Sequence, residues 1–118
     1  MKFMLLVYAD ERVWEDSERE QCYKESTQIA HQLMAKGQYL AANPLHPVTS
    51  AISVRVRNGL RTVTDGPFAE TREQLGGYFL VDAKDREEAI GIAERIPGAR
   101  KGTIEIRPVL ELADLPTA

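Results

Sequence analysis

Asp65, Glu70 and Glu73 crowd into one short stretch at mid-sequence, with Arg72 among them as counter-charge. Carboxylates that share a loop can divide acid and base duties when their surroundings push their pKa values apart. The chain has only two histidines, His31 and His46, the side chains whose ordinary titration lies near neutrality. This set predicts an acid–base pair of Asp65 and His31, with Glu70 as a second carboxylate. Arg55, Arg57 and Arg107 supply cations for an anionic substrate, and Tyr78 and His46 are further contacts to a bound molecule. The chemistry would be proton transfer, isomerisation, lyase or hydrolytic reaction on a small polar ring or acid. Other readings compete: the carboxylates sit on a solvated connecting loop, the same pocket holds a metabolite without turnover, or the dimer edge meets a regulatory protein.

The position of Asp65 follows from the stretch before it. Ile52 to Arg57 alternates apolar and polar residues with the period of a strand. Asn58-Gly59 is the pair that favours a two-residue hairpin turn, and Leu60 to Asp65 returns. A two-residue loop sets Val54 opposite Val63 and Ile52 opposite Asp65. The carboxylate then ends a row of branched apolar side chains, where it must be paired, hydrogen-bonded or raised in pKa. After it, Gly66-Pro67 predicts a turn, with the glycine in the extended geometry expected before proline. Gly76-Gly77 predicts a second flexible point before the next strand.

The remaining elements frame that loop. Residues 2–9 read as a strand covered on both faces, since Phe3 to Tyr8 are all apolar. A helix is predicted from an N-cap at Asp16 or Ser17 to about Lys36, with Gly37 as its stop. Cys22, Ser26, Ile29, Ala30, Leu33 and Met34 share its apolar arc, and His31 lies about 60° outside it. Cys22 is the only cysteine, so it forms no internal disulfide and is read as a buried small residue. Gln38 to Asn43 predicts a strand, ended by the prolines on either side of Leu45-His46. Strands at 77–83 and 103–110 flank a helix over 86–96, with Pro97-Gly98 as its stop. Residues 111–118 read as a tail.

The 118 residues suit one domain, and folding at this length removes roughly two-thirds of the unfolded surface from water. Net charge is −3, with the basic residues scattered, which argues against nucleic acid. No run approaches the roughly 20 apolar residues of a membrane span. Lys2 with the apolar run after it mimics a signal peptide, but Asp10, Glu11 and Arg12 interrupt it, and a cytoplasmic protein is expected. No glycine-rich phosphate loop or metal-spaced His/Cys cluster appears, so neither cofactor nor metal is expected. The order of strands and helices fits the split βαβ arrangement of an α+β, ferredoxin-like domain. Two helices cover one sheet face only, so a second copy is the simplest cover for the other.

Asp65-Gly66-Pro67-Phe68-Ala69-Glu70-Thr71, followed by Glu73-Gln74-Leu75-Gly76-Gly77-Tyr78, resembles the signature of the DGPF branch of the YCII-related family. The likeness extends to Met4-Leu5-Leu6-Val7-Tyr8, Val54-Arg55-Val56-Arg57 and Glu105-Ile106-Arg107-Pro108, and so spans nearly the whole chain. The resemblance implies a ferredoxin-like antiparallel sheet that pairs into a homodimer, the dimeric α/β-barrel assembly. It implies no settled reaction: a histidine and an aspartate have been proposed as an active-site pair in the wider family, most members of which have no assigned activity.

Overall fold

A computed structural model describes residues 1–116. Six strands and two helices follow one another as β1 (Lys2–Ala9), α1 (Asp16–Ala35), β2 (Tyr39–Pro44), β3 (Ile52–Arg57), β4 (Leu60–Asp65), β5 (Gln74–Asp82), α2 (Arg86–Ala93) and β6 (Thr103–Pro108). Four strands form one sheet in the order β2-β5-β1-β6, every neighbouring pair antiparallel. This is the ferredoxin-like α+β architecture. Between its second and third strands the chain leaves the sheet, forms β3 and β4 as a separate two-stranded ribbon, and returns.

The core lies between the sheet and the helices. Phe3 and Leu5 of β1, Phe79 and Val81 of β5, Ile29 and Leu33 of α1 and Ile92 of α2 are all buried. Period-two alternation places these strand residues on one face. The opposite face carries Met4, Leu6, Tyr8 and Leu80, half-buried and without a covering layer in the chain. Close approach fixes two glycines. A Cβ on Gly102 would lie 2.0 Å from the Tyr8 carbonyl oxygen, and one on Gly77 would lie 3.0 Å from that of Asn43.

Several boundaries differ from the sequence expectation for identifiable reasons. The N-cap of α1 is Glu15, which makes a reciprocal capping box with Glu18. Strand β5 begins at Gln74, so Gly76-Gly77 lies inside a strand and not at a hinge before one. Its ladder with β1 shifts register between Val7 and Tyr8. Gly66 does not take the extended form expected before proline but has φ +101°. Helix α2 ends at Ala93, ahead of a 3-10 turn over Pro97–Arg100, and β6 ends at Pro108. Of the tail, residues 111–116 are exposed, with Lys2 Nζ 3.2 Å from Glu111 Oε1; positions 117 and 118 of that expectation lie outside the described residues.

The ribbon gives the chain an open shape. Its principal extents are 46 × 43 × 23 Å. Its radius of gyration is 16.0 Å, against about 13.5 Å for a compact domain of this length. Its accessible surface is 8736 Å², where a compact monomer of its mass exposes roughly 6,400 Å².

Candidate functional site

A cavity of about 530 Å³ opens between α1, from Arg19 to Met34, and the sheet. Its roof is Cys22, Ser26 and Ala30, one helical turn apart on the arc that the sequence pattern assigns to the core. Its floor includes Ala9, Ala42 and Gly77. Small side chains face small side chains, so the gap stays open. Beside that row on the helix, Ile29 and Leu33 join Phe79 in the buried core. Trp14, Tyr23 and Tyr39 add aromatic walls, and Lys101 Nζ sits 5.0 Å above the Trp14 ring.

Glu11 organises the mouth. Its backbone N–H donates to Gln74 Oε1 at 3.0 Å, and its carboxylate Oε2 accepts from the Val48 N–H at 3.0 Å. Its carbonyl accepts from Arg19 Nη2 at 3.0 Å. Arg19 Nη1 lies 3.6 Å from Asp16 Oδ1. The two fully charged residues bordering the cavity, Glu11 and Arg19, are thus both engaged. On the opposite face of the sheet, beside Leu6, Asn43 Nδ2 donates to Tyr78 Oη at 3.0 Å. Burial, and next the nearby Glu25 carboxylate, push the Cys22 thiol above its ordinary pKa. A thiol held protonated is a poor nucleophile, so Cys22 acts as a wall.

The structure separates the residues that the sequence analysis joined. His31 and Tyr78 border the cavity. Asp65 does not: it ends β4 on the separate ribbon, exposed, and among the described residues its carboxylate has no hydrogen-bond or ion-pair partner. The hairpin register is the one the Asn-Gly turn implies, Val54 opposite Val63 and Ile52 opposite Asp65. What differs is the surroundings. The apolar row faces water, so the carboxylate at its end is not enclosed within one chain. Glu70 is exposed on the following loop, and His46 is exposed between Leu45 and Pro47, which do line the mouth. Arg55 and Arg57 lie on the ribbon and Arg107 on β6, all exposed and none at the cavity. The arginine-lined anion site is therefore not formed there. Among the described residues no group of three His, Cys, Asp or Glu side chains is placed to hold a metal ion, and no helix is long and apolar enough to cross a membrane.

Sequence reasoning missed Glu11, Gln74, Arg19 and Trp14 as parts of a site. Only Gln74 falls within the DGPF-branch signature, and hydrogen bonds through Glu11 bring it and Arg19 together. The roof carried a signal: three small residues spaced by four on one helix face cannot fill the space a Leu or Phe would.

A family model for the YCII-related domain matches residues 1–113. An uncharacterized protein of Rhizobium meliloti (strain 1021) is 33% identical over 114 residues, 92% of each chain. The open sheet, the cavity beneath α1 and the ribbon are therefore features of a chain that belongs to the YCII-related domain family.

Proposed function

We propose that this chain forms a homodimer that binds a small, uncharged, largely apolar molecule in the cavity beneath α1. The observation that carries this reading is the cavity itself. At about 530 Å³ it is the size of a metabolite site, and its two charged residues already have partners. A charged ligand would be stripped of water with no free counter-charge to meet it. A ring-bearing molecule would instead stack on Trp14 and Tyr23, and its hydroxyl or carbonyl would reach Ser26. The second copy would cover the Met4, Leu6, Tyr8 and Leu80 face. The chain exposes a surplus of roughly 2,300 Å² over a compact monomer, and stable pairings bury about 600–1,000 Å² of each partner.

A second reading, turnover by proton transfer, rests on His31 at the cavity wall. It lacks the carboxylate partner expected for it, so binding is the stronger reading. The DGPF signature fits either one.

Thermal-shift screening against small aromatic and alicyclic compounds tests the proposal. A ligand at a hundred times its dissociation constant should raise the melting temperature by roughly 10 °C. Ser26→Trp fills the cavity from its roof and should abolish that shift while leaving the circular dichroism of the fold unchanged. A screen with no stabilising compound, or a filled variant that still responds, ends this reading.

A further inference from the structure

The β3–β4 ribbon leaves its apolar side without a neighbour. Ile52, Val54, Val56 and Val63 share one face by register with Arg61 and Asp65 at its ends, and each of the four is more than half exposed. The other face carries Ser53, Arg55, Arg57, Leu60, Thr62 and Thr64. A lone two-stranded hairpin is marginally stable in water and needs a surface to lie on. The ribbon's own sheet does not provide one.

We propose that the ribbon is a clamp: its Ile52/Val54/Val56/Val63 face docks on the body of a second copy of this chain and sets the mouth of the ligand cavity as it does so. The proposal rests on the dimeric binding reading above. Three observations favour a second copy as the occupant. The first is surplus surface, since the chain exposes about 2,300 Å² more than a compact monomer and Ile52, Val54, Val56 and Val63 are each more than half exposed. The second is charge. The ribbon bears three arginines against one aspartate, hence +2, so the other residues of the −3 chain carry −5. A cationic ribbon meets a complementary field on another copy's anionic body.

The third is the ribbon's attachment. Its two legs are the cavity rim, with Leu45 and Pro47 before β3 and Gln74 and Gly76 after β4. Leu45 N–H donates to the Gly76 carbonyl at 2.9 Å, and Glu11 ties Val48 on one leg to Gln74 on the other. Movement of the docked ribbon is passed to the rim through these bonds, so ligand binding and dimer formation favour each other.

Sedimentation velocity of the full chain over a concentration series tests the clamp without any ligand. Val54→Lys with Val63→Lys should raise the dimer dissociation constant at least tenfold, with circular dichroism unchanged because neither residue touches the core. Should the lysine pair fail to fold, Val54→Thr with Val63→Thr keeps strand propensity and should still weaken the dimer at least threefold. Leu6→Lys on the outer sheet face is the control. If it yields monomers while the ribbon variants dimerise like the parent, the clamp is overturned and the dimer reading stands. If the parent chain is monomeric throughout, both are overturned.

Discussion

Two aspartates show how little a residue type settles without its surroundings. Asp10 accepts hydrogen bonds from Arg12 at Nε, Nη2 and the backbone N–H, at 3.0, 2.9 and 3.0 Å. The Arg12 side chain first, and its N–H second, hold the carboxyl down to about 2 from an ordinary 3.8. A depressed carboxyl stabilises the fold above the unfolded-state value, and that contribution is lost as the pH falls through the folded one. Asp10→Asn should therefore melt below the parent at about pH 5, with the gap closing toward about pH 2 in a pH series of melting curves. Asp65 has no such partner. The sequence places it correctly opposite Ile52, since strand alternation and a two-residue turn are local rules. Whether that face is dry depends on a neighbour that no local rule names. The cavity residues were hidden for a related reason: Glu11 matters through Val48 and Gln74, which are far from it in sequence.

Elements were more legible than sites because each carries its own period. Of the helical arc of α1, Ile29 and Leu33 are buried where the spacing puts them, but Met34 is 60% exposed. Half of that arc proved to be a roof rather than core, because packing depends on what lies opposite. The ladder of β5 begins three residues earlier than its apolar run suggests, since Gln74 pairs with Ala9 through main-chain groups that hydropathy does not report. The turn before β6 is held by contact. A methyl on Gly102 would lie 2.0 Å from the Tyr8 carbonyl oxygen, which is rigid backbone. Gly102→Ala should cost about 1–3 kcal/mol in urea denaturation, by overpacking at the β1–β6 junction.

The whole molecule is thin, 23 Å in its shortest dimension. One sheet with helices on one side is a two-layer structure whose other side is apolar, and domains bury such faces against another layer. The sequence announced this by counting: two helices and a sheet apolar on both faces do not balance. It did not announce the ribbon's separation, because β3 and β4 have the same alternation whether they join a sheet or leave it. Dimerisation links stability to concentration. The melting temperature should rise by several degrees as the protein is concentrated from about 1 to 100 μM, and a constant value would point to a self-sufficient monomer.

The ribbon also has a single root. Gly66 N–H donates to the Ala51 carbonyl at 2.6 Å, and Ser53 Oγ donates to the Gly66 carbonyl at 2.8 Å. The chain therefore departs and comes home at one stitched point. Residue pairs can be added or removed beyond it, each lengthening or shortening the span by roughly 3.3 Å, without disturbing the sheet below. Span and scaffold are thereby free to diverge separately.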